Sequence, residues 1–502
     1  MSTRTVRRQN EPPALSAPPR FNSRRAFLAD LGMGFAGMAL GAMLARDGVV
    51  RASETDGRPY SGPHFQPRIK NVIWIFFVGG MSHVESFDPK PELNKHADKT
   101  IAESPHKAVL DSPYLKKNLR EFVAGNHPVQ PKIYPMQVGY GKRGACGMEM
   151  SDWFPHLGQH ADDLCLVRSM WTTDNDHGAQ LQFHTGRHAV EGPFPTIGSW
   201  VHWGLGSLND NLPSYCVLGV PLADCCGGVQ GHGANYLGPE HAGIQLATDP
   251  AAPLPFAIPE KEVFREEQIA EFGLLGRLNK LTAVEYPDDP ALAARIKSYE
   301  LAFQMQRSVP EVVDIAAETA ATQKAYGLET PHSAEFGRQC LIARRLAERG
   351  VRFVQLFHGS SGGAGRWDAH ANLKEGHSKL CLEVDQPIAA LIGDLKLRGM
   401  LDETLVVIGT EFGRTPGAEK SNGRDHHPYG FSIALAGGGI KGGVVHGASD
   451  EIGFHAAENR HYVTDLHATV LHQLGLDHRR MEIPGRKRLD LDFGEPIKEI
   501  MT

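Results

Sequence analysis

Cysteine is scarce in this 502-residue chain: seven residues (Cys146, Cys165, Cys216, Cys225, Cys226, Cys340, Cys381), an odd number, with no CxxC spacing. That excludes a disulfide scaffold and a thiolate metal knuckle, and leaves room for one or two bridges at most. Positive charge is also short. Lys and Arg number 52 against 58 Asp and Glu, a net charge of −6, which disfavours nucleic acid and anionic membrane surfaces as partners. Long apolar runs are missing too. The one notable stretch, Leu31 to Ala45, is short and rich in glycine, so the mature chain is expected to carry no integral membrane span. Neither a fixed repeat nor a low-complexity tract is present.

What is there begins with Ser23-Arg24-Arg25-Ala26-Phe27-Leu28 ahead of that apolar run, the pattern of a twin-arginine export signal. Residues 1–52 are expected to be this signal segment, with a small-residue cleavage site near Val50-Arg51-Ala52. The export machinery is then a partner, and the location is periplasmic or otherwise exported. Residues 53–67, rich in Gly, Pro and Ser, form a linker. Without residues 1–52 the body keeps 44 basic and 55 acidic side chains, a net charge of −11, and all 25 histidines.

Residues 68–502 alternate strand-type runs with helical patterns. Arg68 to Gly80, Leu164 to Arg168, Tyr215 to Gly219, Val351 to Phe357, Thr404 to Gly409 and Phe431 to Ala436 are apolar runs of strand length. Ser333 to Arg349 and Leu380 to Arg398 carry apolar residues at helical spacing and end before glycine. The expectation is an α/β fold, a mostly parallel sheet covered by helices on both faces. Two stretches interrupt it: a polar excursion, Pro89 to Gly144, and a helical insertion over residues 260–326.

Ligands of open α/β sheets sit outside the carboxyl ends of the strands, so the residues that follow strands are the candidates. After the first strand come Ser82 and His83, with Glu85 and Asp88, beside a Gly-Gly turn; they suit a substrate or metal, or equally a capped turn. After the second run come Asp174, Asn175, Asp176 and His177, where a loop becomes a helix whose N–H groups favour an anion. Either aspartate also suits a helix cap. WDAH places Asp368 and His370 on one side of an extended segment, as a metal would need. TEFGRTP supplies Glu411, a ligand or a partner of Arg414, and Arg414, a fork for an oxyanion. GRDHHP supplies Arg424, Asp425, His426 and His427. Asp465, opening the last helix, reads as a cap. Mixed imidazole and carboxylate ligands point to a divalent metal of the zinc, manganese or iron kind.

Taken together, GGMSHVESFDPKP, LVRSMWTTDNDHGAQLQFHTGR, ARRLAERGVRFVQL, WDAH, LDETLVVIGTEFGRTP, GRDHHP, LAGGGIKGG and TDLHATVLHQLGLDH resemble the twin-arginine-exported, sulfatase-like family abundant in planctomycetes. This family, built on a domain of unknown function, is a branch of the alkaline phosphatase superfamily, and the match runs from about Asn71 to Leu489. The resemblance implies an alkaline-phosphatase/sulfatase-like fold and a metal-dependent hydrolase of phosphate or sulfate esters, with an anionic small molecule or glycan as substrate. The superfamily's nucleophile position falls on Asp176, nine residues before Thr185-Gly186. Asp176 stands there in place of Ser, Thr or a modified Cys, and the usual Asp-His pair reads Glu411-Phe412. Asp176, His177 and Arg414 are then the catalytic set, and Asp368, His370, Glu411, Asp425, His426 and His427 the metal set. Ser82, His83 and Arg424 are left to bind substrate. These replacements also admit a catalytically degenerate protein that binds an anionic glycan or a cell-envelope partner, or a structural envelope protein interacting through residues 260–326.

Overall fold

Seven apolar residues in a row, Asn71–Phe77 (β1), suit a strand covered on both faces, and all seven are buried. The computed structural model describes residues 62–112, 129–254, 265–285, 304–306, 308–483, 485–486 and 493–502. The export signature and the predicted signal segment lie outside these residues. Of the linker, residues 62–67 are described, and the His64 and Phe65 N–H groups both donate to the Gly475 carbonyl.

The sheet strands after β1 are Leu164–Trp171 (β2), Tyr215–Leu218 (β3), Ile244–Leu246 (β4), Phe353–His358 (β5) and Thr404–Thr410 (β6). A hairpin outside the sheet, Gly413–Glu419 (β7) and Gly423–His427 (β8), comes next, and Phe431–Gly437 (β9), Val444–His446 (β10) and His461–Tyr462 (β11) return to the sheet. Its order is β10-β2-β9-β6-β1-β5-β3-β4, with β11 also on β2. Strand β1 is parallel to β5 and β6, and β3 to β4 and β5. Strands β10 and β11 run parallel to β2, while β9 is antiparallel to both β2 and β6. The architecture is therefore α/β with a mainly parallel sheet. Because β9 enters from the opposite end, the hairpin that precedes it lies at the edge where β1, β5 and β6 finish.

Helices cover both faces. Successive side chains of β1 alternate between them. Ile73, Ile75 and Phe77 pack with Leu341 and Leu346 of Ala334–Glu348 and with Val384 and Ile388 of Leu373–Leu397. Val72, Trp74 and Phe76 pack with Phe183 of Gly178–Thr185 (α1), Trp200 of Ile197–Leu205 (α2) and Leu466 of Val463–Gln473. Among the described residues, further helices besides the short Pro91–Lys95 and Ala320–Ala325 are Arg265–Glu285 (α3), Ala334–Glu348 (α4), Leu373–Leu397 (α5) and Val463–Gln473 (α6). Helix α3 falls in the predicted insertion over residues 260–326, of which 260–264, 286–303 and 307 lie outside the described set.

Two differences from the sequence-based expectation have local causes. Helix α5 begins at Leu373 rather than Leu380, because Leu373 and His377, one turn apart, are both buried, with His377 edge-on to Trp367 at 5.2 Å. The β7–β8 hairpin was not expected as strands at all. Its polar residues carry no alternation, since both faces are buried against the site rather than one facing water. All seven cysteines are unpaired, with the Cys225 and Cys226 Sγ atoms 2.9 Å apart.

Candidate metal centre

The turn after β1 lets two distant segments meet. Gly79 has φ +121°, and a Cβ there would lie 2.6 Å from the Asp368 amide, so only glycine lets the loop bearing Asp368 close onto β1. On the other side Arg414 of β7 reaches across. Its Nε donates to the Gly80 carbonyl at 2.8 Å, its Nη1 to the Arg424 carbonyl at 3.1 Å, and its Nη2 to Asp368 Oδ1 at 2.8 Å and to the Gly79 carbonyl. Asp368 is thereby fixed in place.

Three imidazoles converge on that carboxylate. His370 Nε2 lies 3.0 Å and His426 Nε2 3.2 Å from Asp368 Oδ1; His177 Nε2 lies 3.4 Å from Oδ2. The Nε2 atoms of His370 and His426 are 3.0 Å apart. The far nitrogen of each ring faces an acceptor. His426 Nδ1 is 2.9 Å from the Asn175 carbonyl, His177 Nδ1 is 3.2 Å from Glu411 Oε1, and His370 Nδ1 contacts the Glu419 carboxylate. Carbonyl and carboxylate oxygens only accept, so with an ion on the Nε2 side each Nδ1 would carry the proton and each Nε2 would turn a lone pair inward.

Four groups that offer lone pairs toward one point repel each other unless a proton or a cation sits among them. His177 Nε2 is buried, and Asp368 Oδ2 at 3.4 Å is its neighbour. An acceptor behind each ligating imidazole is the arrangement that orients histidines on metals. His177, Asp368, His370 and His426 therefore fit a divalent ion.

The electrostatics agree with a site built for positive charge. Burial works to raise the Asp368 pKa, but hydrogen bonds from His177, His370 and His426 and the Arg414 charge outweigh it and hold the carboxyl far below its usual range. Burial opposes a charge on His177 as well, yet Asp368 and Glu411 lift it to about 9, and Asp368 raises His370. Burial lowers His426. Asp368 thus favours a proton on His177 and on His370, and metal binding there would release it.

The other candidates lie around this centre rather than in it. Glu411 is fully buried and backs His177, while also accepting from the Gly79 N–H at 3.0 Å and from Gln180 Nε2 at 3.0 Å. Asp425 stands behind His370, its Oδ1 at 3.8 Å from Nδ1 and its Oδ2 accepting from Gln130 Nε2 at 3.0 Å. His427 turns away: its Nε2 faces the Phe454 carbonyl, and burial pushes its pKa down to about 3.

Three residues expected to meet substrate are instead consumed by the fold. Ser82 donates to Glu85, and His83 Nε2 lies 3.0 Å from the Gly453 carbonyl. Arg424 pairs with Glu85 at 2.8 Å, both fully buried, and also donates to the carbonyls of Tyr134, Pro135, Thr415 and Pro416. The Arg414 fork, expected to face an oxyanion, is likewise fully buried and engaged at every nitrogen.

Asp176 is the exposed acid at the start of α1, where its Oδ1 accepts from the His177 N–H at 2.7 Å. No side chain caps that helix, so the cap reading of Asp174 and Asp176 does not apply; Asp174 pairs with His188 at 2.9 Å. Asp465, by contrast, is the third residue of α6 and accepts from the Tyr462 N–H, the reciprocal half of a capping box whose N-cap is Tyr462.

Sequence reasoning passed over Glu419 and Gln180. A signal for Glu419 existed in the turn Lys420-Ser421-Asn422. It closes the hairpin so that Glu419 pairs with Gly423, next to the His370 segment.

The family described as "Protein of unknown function (DUF1501)" matches residues 69–501. No curated protein matches the chain. Among solved structures it is similar to the PsFucS1 sulfatase from Pseudoalteromonas sp., at 11% identity and TM-score 0.32, covering 88% of this chain and 72% of that one. It is similar to a protein in the alkaline phosphatase superfamily from Vibrio parahaemolyticus, at 9% identity and TM-score 0.34, covering 88% and 75%. It is also similar to a mutant of TAB5 alkaline phosphatase with Mg bound, at 11% identity and TM-score 0.33, covering 82% and 100%.

Proposed function

The chain belongs to the DUF1501 family of proteins of unknown function, and on that premise we propose that it is an exported, metal-dependent hydrolase of phosphate or sulfate esters. The observation that carries the reading is the convergence of His177, Asp368, His370 and His426 at the carboxyl edge of a mainly parallel sheet. A divalent ion held there supplies Lewis-acid stabilisation of the charge that develops on ester oxygens. Zinc, manganese and iron all suit such a donor set.

The chain's own groups divide the remaining work. Glu411, Asn175 and Glu419 hold the three imidazoles in one tautomer. Arg414 positions Asp368 and is a positioning residue, not an oxyanion binder. Asp176 is the exposed carboxylate beside His177, placed to attack or to take a proton from an attacking water. The substrate is a small anionic ester or an anionic glycan. Export rests on Ser23 to Leu28, with the twin-arginine machinery as the partner and the periplasm as the location. Among the described residues no helix is long and apolar enough to cross a membrane.

The deciding experiment measures metal by elemental analysis, and hydrolysis of aryl phosphate and aryl sulfate esters, on the native chain and on Asp368→Ala. Native protein is expected to hold metal and turn over one ester class, and the variant to lose both. Equal metal content in the two proteins would sink the assignment.

One observation favours a second reading, a catalytically degenerate binder of an anionic glycan or envelope partner. Arg414, offered for the oxyanion, and Arg424, offered for substrate, are both spent internally, while His177 and His370 are the groups of the centre whose protonation is favoured. Anion binding that persists after chelation, with no turnover, would mark that case.

A further inference from the structure

We propose that the chain carries a second, separate site for a divalent transition-metal ion of the zinc class, formed by Glu92, His96 and His106. The site lies in the excursion after β1, away from the residues of the candidate centre, and does not rest on the proposed hydrolase activity. Glu92 and His96 are one turn apart, on and just after the short helix Pro91–Lys95, and His106 is the residue before the turn Lys107–Asp111. The His106 N–H is pinned by Ser104 Oγ at 3.1 Å, and Ser104 Oγ in turn donates to the Ile101 carbonyl at 2.7 Å. The backbone that carries His106 is therefore fixed at this point.

Both imidazoles aim the same atom at the same oxygen. His96 Nε2 lies 3.4 Å and His106 Nε2 3.3 Å from Glu92 Oε2. These separations are long for charge-assisted hydrogen bonds, which run to about 2.9 Å. They match the edge of a tetrahedron around zinc, about 3.3–3.4 Å for ligand bonds of about 2.0–2.1 Å. Lys95 takes the other carboxylate oxygen, Oε1, and leaves Oε2 to the histidines. The back of each ring differs. His106 Nδ1 is 4.0 Å from Glu451 Oε2, and His96 Nδ1 is buried with no hydrogen-bond partner. A neutral His106 protonated at Nδ1 toward Glu451 presents its Nε2 lone pair to the ion. The three side chains are 14–26% exposed, so the fourth position opens to water, as in three-ligand zinc sites.

An ion here would clamp the excursion onto itself and, through Glu451, onto the loop whose Gly453 carbonyl meets His83. The test titrates zinc alone into chelator-stripped full-length protein by calorimetry, with elemental analysis of the dialysed product. The native chain is expected to bind two ions. His96→Ala/His106→Ala is expected to bind one, and His370→Ala/His426→Ala to keep the one held by Glu92. Glu92→Gln, which preserves shape, is expected to weaken one binding event at least tenfold. Should the double histidine variant take up as much zinc as native protein, the site does not exist. If that variant fails to fold, an unchanged isotherm for Glu92→Gln overturns the proposal equally. Native protein that binds a single ion, lost in His96→Ala/His106→Ala and kept in His370→Ala/His426→Ala, would count against the hydrolase reading and leave this one standing.

Discussion

Each imidazole of the centre is aimed by an acceptor that never touches the ion's position, and this makes the acceptors testable on their own. Glu411 is fully buried and its Oε1 faces His177 Nδ1. Glu411→Gln removes the charge that fixes the His177 tautomer while keeping the volume, so zinc affinity is expected to fall about 10–100-fold with little change in secondary structure. A zinc titration with circular dichroism beside it checks this; an unchanged affinity would show that His177 does not ligate. Arg424 makes the contrasting case. Its ion pair with Glu85 is wholly buried, so Arg424→Met strands a carboxylate and is expected to cost about 3–5 kcal/mol in urea unfolding. Adding Glu85→Leu should return part of that loss, because the stranded charge is gone. Asp368, His370 and His426 were legible as metal candidates because acid and histidine gather after strand-type runs, whereas His177, read as catalytic, joins them only through the fold. The division between residues whose donors converge and residues that hold those residues in place was not legible. Arg414, Arg424, Ser82 and His83 have the residue types of a binding site, and only burial shows their donors to be used up within the fold.

At the scale of elements, the centre depends on a hairpin, β7–β8, lying flat against the segment that follows Asp368. Gly423 sits at the contact: a Cβ there would come within 2.1 Å of the His370 backbone. Gly423→Ala is expected to cost about 1–3 kcal/mol by overpacking and to weaken metal binding, because β8 carries His426. Gly363, in the open loop after β5, has nothing near its would-be Cβ, so Gly363→Ala should stay within about 0.5 kcal/mol of native protein. Denaturant unfolding of the pair separates local crowding from a general intolerance of alanine. This same hairpin marks where sequence reading stopped. The six sheet strands foreseen from apolar runs are present, since a doubly covered strand must be apolar throughout. Strands β7 and β8 are built mostly of Gly, Arg, Thr, Asp, Glu and His, whose burial is satisfied by hydrogen bonds and ion pairs instead of apolar packing. No periodicity records that.

For the whole molecule, the abundance of histidine has a consequence at mild acidity. Buried histidines outside the centre are kept neutral: burial pushes His83 to about 4, His232 to about 4 and His377 to about 3. In the unfolded chain each titrates near its ordinary value of 6.5. Below that pH the unfolded state takes up protons that the folded state refuses, so stability is fully present above pH 6.5 and is lost as pH falls toward 4. Each histidine that stays neutral removes about 2 kcal/mol between pH 7 and pH 5, from a slope of up to about 1.4 kcal/mol per pH unit. The carboxylates act in a lower window. Glu85, held down by Arg424 against its burial, and Glu383, brought to about 2 by His358 and Arg366, lose their contribution only as pH falls below about 4. Asp385 and Asp450, which burial raises, work in the opposite direction and soften that second loss. Urea unfolding at pH 7, 6, 5 and 4 should therefore show most of the decline above pH 4. If His83→Gln and His377→Gln leave that decline as steep as in native protein, the buried histidines are not its source. A decline confined to pH below 4 would place it on the carboxylates.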